Sequence, residues 1–151
     1  MSLRRIEMGR TGVFVPVIGQ GTWQMGVDRS ARKQEIEALR AGIEAGLTLI
    51  DTAEMYAQGE AERVVAEAIR DVRDRVYVVT KVWPTNATYE GTLNAARASS
   101  RRLGTYIDLY LLHWPSDAAP VEETMRAMRK LLEEGLIKAA GVSNFSVELM
   151  K

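Results

Sequence analysis

A chain of 151 residues, 46% hydrophobic and 26% charged, carries enough apolar mass for one domain with its own core and enough charge for a soluble body. Its 20 Lys and Arg balance its 20 Asp and Glu, so no net field draws it to nucleic acid or an anionic membrane surface, and small neutral or weakly charged molecules are the expected partners. The absence of cysteine and the single histidine exclude a disulfide framework, a thiolate metal site and a His-rich one; no apolar run approaches a membrane span, Met1 to Arg5 lacks the core of a signal peptide, and a reducing cytoplasm is the expected compartment.

In chain order, Leu3 to Met8 alternates apolar and charged residues, Gly9 to Gly12 reads as a turn, and Val13 to Val17 resumes with β-branched residues, which predicts a hairpin. From Ile18 short apolar strands alternate with helical periods, the pattern of βαβ units. The strands are read at residues 47–50, 76–79, 107–112 and 138–142. Between them Ile36, Leu39 and Ile43 repeat at helical spacing and stop at Gly46; Val64, Val65, Ala68 and Ile69 form a second stripe; Leu93, Ala96, Ser100 and Leu103 form a third, ending at Gly104. Pro120 opens a fourth helix at the first helical position, Glu122 and Glu123 suit its first turn, and Gly135 closes it.

A regular spacing overlies these elements. Gly21, Asp51, Lys81, His113 and Ser143 stand 30, 30, 32 and 30 positions apart, each just past a predicted strand. One period is one βα unit, and in a closed barrel every such residue reaches the same C-terminal mouth. A doubly wound open sheet would gather its ligand groups at one switch point instead, so a barrel is favoured. Gly19 to Gln24 begins like a dinucleotide fingerprint but has Gln24 where a third glycine is needed, which argues against that fold.

The residues at the mouth make chemical sense together. Lys81 at the end of a buried strand needs a counter-charge, and Asp51, one strand away, is the natural one. A phenol near its ordinary pKa of about 10 exchanges protons poorly at neutrality, so Tyr56 beside the Lys81 ammonium is expected to be lowered. His113 can donate a hydrogen bond to a carbonyl oxygen and orient it.

Five segments in register then resemble successive motifs of the aldo-keto reductases: Gly21-Thr22-Trp23, Asp51-Thr52-Ala53-Glu54-Met55-Tyr56, Thr80-Lys81-Val82-Trp83, Asp108 to Pro115, and Gly141-Val142-Ser143-Asn144-Phe145. The resemblance implies an α/β fold, the N-terminal part of a (β/α)₈ TIM barrel preceded by a β-hairpin, with about four and a half βα units in a single domain over residues 1–151 that ends within a fifth helix opening at Ser146. It implies NAD(P)H-dependent reduction of aldehydes or ketones to alcohols, with NADPH before NADH as cofactor and a small carbonyl compound as substrate. Asp51, Tyr56, Lys81 and His113 would be the catalytic tetrad, Tyr56 the general acid. Ser143 and Asn144 match the pair that holds the nicotinamide carboxamide, Gly21, Thr22 and Asp51 match positions near the nicotinamide ribose, and Trp23, Trp83 and Trp114 would form an aromatic substrate pocket. Ala57 departs from the family's usual glycine after the tyrosine. Two other readings stand beside this one: a cofactor-binding redox-sensing or regulatory subunit, and an inactive fragment without the C-terminal cofactor-binding half. Homo-association through the open sheet edges is a further expectation.

Overall fold

Alternation near the N-terminus produces a two-stranded ribbon, β1 (Arg5–Glu7) antiparallel to β2 (Phe14–Pro16), with Ile6 opposite Val15. The computed structural model describes residues 3–151; Met1 and Ser2, in the N-terminal stretch read above, lie outside the described residues. Then follow β3 (Gln20–Gly21), α1 (Arg32–Glu44), β4 (Leu49–Asp51), α2 (Glu60–Ile69), β5 (Tyr77–Val82), α3 (Tyr89–Leu103), β6 (Ile107–Leu112), α4 (Val121–Glu133) and β7 (Ile137–Val142). The five later strands are parallel and pair in sequence order, with β3 and β7 at the edges.

The helices start and stop for local reasons. Thr88 caps α3, its Oγ1 accepting the Gly91 N–H at 3.0 Å, and Gly104 ends it with φ 69°. Pro120 occupies the cap of α4, one position earlier than expected, and Val121 is the first helical residue. Thr124, Ala127, Met128 and Leu131 then line one face at helical spacing and are buried against the rest of the core. Ser146 to Lys151, expected to open a fifth helix, form turns: Ser146 Oγ accepts the Leu149 N–H at 3.3 Å as a helix cap would, but the backbone bonds that follow span three residues, not four.

Two-residue periodicity in the strands divides the core. Ile50, Val78, Val82, Tyr110 and Leu112 face the helices and join the main cluster with Ile107 at the start of β6 and with Val64, Val65, Ile69 and Leu131. Each such large side chain contributes roughly 1.5–3 kcal/mol when fully buried. Tyr77, Val79, Leu49, Leu109 and Leu111 face the other way and meet Val15 of the hairpin. Asp51 and Lys81 continue this inner face at the C-terminal ends of their strands. The register staggers them: Asp51 pairs with Val79, so Lys81 stands two residues higher, and Lys81 pairs with Leu111, so His113 stands two higher again. Such a slip is the stagger of a tilted barrel wall; at the two outer pairings there is none, Gly21 lying directly opposite Asp51 and Leu111 opposite Gly141.

Candidate active site

At the C-terminal ends of the strands lies a cleft of about 500 Å³ lined by Trp23, Asp51, Met55, Tyr56, Lys81, His113, Trp114, Ser143 and Asn144. All four residues of the expected tetrad meet here. Lys81 Nζ donates to Asp51 Oδ2 and to the Thr52 carbonyl, both at 2.8 Å, and its side chain is only 7% exposed. Hydrogen bonds in that number are what a buried ammonium requires to offset its desolvation. Asp51, last residue of β4, keeps its side chain 43% exposed to the cleft.

Tyr56 opens a 3₁₀ turn (Tyr56–Gly59) and presents its ring edge-on to His113 with centroids 5.8 Å apart. Lys81 Nζ lies 5.3 Å from the tyrosine ring centroid. The expectation that Lys81 lowers the phenol is not met. Burial, and secondly the Asp51 carboxylate, push Tyr56 above its ordinary value. The reason is where the ammonium points: it donates to Asp51 and Thr52.

His113 follows β6 and is 3% exposed. Burial first, and then the Lys81 charge, lower its pKa to about 4, so the imidazole is neutral at physiological pH. Its Nδ1 is buried without a hydrogen-bond partner. An orphaned lone pair is more tolerable there than an orphaned N–H, so the proton belongs on Nε2. Trp114 stacks on the imidazole at 3.8 Å and 16°, and Trp83 meets both rings edge-on, at 5.9 Å from His113 and 5.3 Å from Trp114. The three tryptophans therefore share the mouth but not the same position. Trp23, 71% exposed, and Trp114 line the cleft, whereas Trp83 braces His113 and Trp114.

The remaining expected contacts divide similarly. Asn144, left-handed at φ 62°, donates through Nδ2 to the His113 carbonyl at 2.9 Å and to Ser143 Oγ at 3.1 Å. Gly21 sits at the end of β3 with open space where a side chain would begin. Thr22 is fully buried and donates both its N–H and its hydroxyl to the Asp51 carbonyl at 3.0 Å, so it fixes the strand end and does not line the cleft. Glu54 carried no expected role, yet its Oε1 accepts the Trp83 N–H at 2.6 Å and Asn86 Nδ2 at 3.0 Å, tying the loop of Tyr56 to the loop of Trp83. A carboxylate between Asp51 and Tyr56 was the visible signal; its partners, about thirty residues away, were not.

The family model described as Aldo/keto reductase family matches residues 17–151. Methylglyoxal reductase YeaE of Escherichia coli is 59% identical over 133 residues, which cover 87% of this chain and 46% of that protein. Aldo-keto reductase YhdN of Bacillus subtilis is 42% identical over 155 residues, covering 93% of this chain and 46% of that protein. A solved aldo-keto reductase from Klebsiella pneumoniae, in complex with NADPH, has the same arrangement at a TM-score of 0.93 and 52% identity, over 99% of this chain and 52% of that one. The chain spans about half the length of the relatives it matches. With the strand order, the polar rim and these matches together, the chain belongs to the aldo-keto reductase family.

Proposed function

We propose that this chain carries the catalytic centre of an NADPH-dependent reductase of aldehydes and ketones, with Tyr56 as the proton donor. The observation that carries this reading is a neutral His113 and a protonated Tyr56 sharing one cleft with the Lys81–Asp51 pair. The residues suit a nicotinamide. Gly21 leaves room beside the strand end, and Asn144, with its Nδ2 donated internally, has its amide oxygen left to accept from a carboxamide N–H. Ser143, Asn144, Gly21 and Asp51 would hold the group, with Thr22 acting through the strand end. When bound it supplies a hydride to the carbonyl carbon. NADPH is the first cofactor to test because a relative from Klebsiella pneumoniae is in complex with it.

This chain's own residues handle the oxygen. His113 Nε2–H donates to the carbonyl oxygen and holds it toward Tyr56, and the donation strengthens as negative charge develops. The Tyr56 hydroxyl gives up its proton to that oxygen, completing the alcohol. The Lys81 ammonium, 5.3 Å from the phenol ring centroid but donated to Asp51 and Thr52 in the resting site, must turn toward the oxygen to stabilise the phenolate that remains. The raised phenol stores its proton across neutral pH, which suits reduction; alcohol oxidation, which needs phenolate, requires more alkaline conditions.

The E. coli relative's name makes methylglyoxal the first substrate to try. In the protein that carries this chain, Tyr56→Phe should lower the turnover of methylglyoxal on the order of 10²–10⁴-fold while NADPH affinity stays close to the parent's. Turnover within a few-fold of the parent would remove Tyr56 from the role. A cytoplasmic site of action belongs to the same reading, and so does homo-association through β3 and β7, which sedimentation velocity of the purified protein would reveal.

A further inference from the structure

Immediately after Tyr56 the backbone passes through three consecutive left-handed residues: Ala57 at φ 48°, Gln58 at φ 55° and Gly59 at φ 90°. Left-handed backbone outside glycine is strained and persists only where the surroundings over-determine it. Against it packs a partly buried ionic contact between two helices. Gly59 is buried, and a side-chain carbon placed on it would lie 2.5 Å from Arg102 Nε and 2.6 Å from Arg102 Cδ, so the arginine packs directly onto the bare backbone. Arg102, in the last turn of α3, donates through Nε to Glu62 Oε2 at 2.6 Å and through a terminal nitrogen to Ser99 Oγ at 3.1 Å. Glu62, in the first turn of α2, has no exposed surface, and its Oε1 accepts the Thr80 hydroxyl at 2.6 Å. Thr80 precedes Lys81 in β5.

One unbroken set of contacts thus runs from Gly59 through Arg102 and Glu62 to Thr80, joining the loop of Tyr56 to the strand of Lys81. None of these residues lines the cleft. Nor does stability explain them, since a buried ion pair is commonly matched or bettered by apolar side chains of similar volume. Apolar side chains would not grip a glycine backbone on one side and a strand hydroxyl on the other.

Resting on the reading of Tyr56 as proton donor, we propose that Arg102 and Glu62 are positioning residues that clamp the left-handed turn after Tyr56 and so set the distance between its phenol and Lys81. The test is the double variant Arg102→Gln/Glu62→Gln in the protein that carries this chain, which removes both charges together and leaves no lone buried charge. Three results are expected together: kcat for methylglyoxal falls on the order of 10–100-fold, as small misplacements of reacting groups do, the NADPH dissociation constant is unchanged, and the melting temperature stays near the parent's. Amide hydrogen exchange at residues 57–60 should quicken about tenfold or more while β5 and α3 keep their protection. Unchanged kcat with unchanged exchange overturns the clamp. So does a loss of protection spread evenly over α2, α3 and β5, which would mark an ordinary core pair. Tyr56→Phe is measured alongside. If it stays active, the premise fails and exchange alone judges the clamp; if it is inactive while the double variant matches the parent in kcat and exchange, only the clamp fails.

Discussion

The two ends of the same sheet solve the same problems in opposite ways. At the base, where helices turn back into strands, the left-handed positions are glycines: Gly46 before β4, Gly104 before β6 and Gly135 before β7. There Arg73 is paired with Asp108. Arg73 also donates to Thr105 Oγ1 and to the carbonyls of Val76 and Tyr106 and lies 4.0 Å over the Tyr106 ring, while Asp108 Oδ2, which accepts from Arg73 at 2.7 Å, also accepts the Val78 N–H at 2.8 Å. At the mouth, left-handed backbone falls on Gln24, Ala57, Gln58 and Asn144 as well as on Gly26 and Gly59, and His113 Nδ1 and Thr52 Oγ1 are buried without partners. Buried polar atoms go unpartnered at both ends, since Tyr77 Oη at the base has no partner either, so it is the backbone strain, absorbed by glycines at the base and falling also on other residue types at the mouth, that divides an end that holds the fold from an end that does chemistry.

The same substitution at both ends gives the largest test. Lys81→Met should reduce turnover on the order of 10²-fold or more, because it removes the charge behind the phenolate. It should cost little stability, since Asp51 is 43% exposed and can return to water. Arg73→Met should do the reverse. Asp108 is 13% exposed, and leaving a buried carboxylate unpaired costs about 3–5 kcal/mol, with turnover per folded molecule unaltered. Urea denaturation and steady-state kinetics on both variants decide it. Equal stability losses, or equal turnover losses, would abolish the division.

A second test uses pH. His113 is the single histidine, and its native pKa of about 4 lies below the ordinary 6.5 of an unfolded imidazole. Between those values the unfolded chain binds a proton that the native chain does not, so stability is complete above about pH 6.5 and declines toward pH 4. His113→Gln should flatten the slope of unfolding free energy between pH 6.5 and 5, above the range where carboxylates dominate. An unchanged slope would show that the imidazole is not held neutral.

How much of this was legible in the sequence depended on the range of the interaction. The thirty-residue spacing was readable because one βα unit has a nearly fixed length, and Lys81 demanded Asp51 because a buried ammonium needs a partner. The direction of the Tyr56 shift was not readable. It depends on which way Nζ points, a matter of a few ångströms among side chains from three strands. Glu62 left a fainter trace: with Val65 and Ile69 it occupies one helical face, a carboxylate in a buried stripe, but its partner Arg102 is forty residues on and its other contact, Thr80, is an ordinary strand threonine. The left-handed turn after Tyr56 had no glycine at its first two positions to announce it.

That turn supplies the smallest and most discriminating test, a pair of exchanges between alanine and glycine at the two ends. Ala57 has φ 48° and ψ 39°, a conformation that costs an L-residue roughly 1–2 kcal/mol. Ala57→Gly relieves that cost but gives the unfolded chain more freedom, worth about 0.5–1 kcal/mol the other way, so net stability should rise by up to about 1.5 kcal/mol. The relieved loop is also freer, and if strain helps to fix the phenol, kcat should fall by a few-fold while stability rises. Gly104→Ala is the matching exchange at the base. A side-chain carbon there meets nothing within 4 Å, so the cost is that of φ 69° less what the stiffer unfolded chain returns, a net loss of up to about 1.5 kcal/mol, with kcat unchanged. Opposite signs in stability, with turnover responding only at position 57, would mean that the strain at the mouth serves the reaction. Should Ala57→Gly gain stability and keep full turnover, the left-handed turn would be a tolerated irregularity, and the contrast between the two ends would rest on their charged pairs alone.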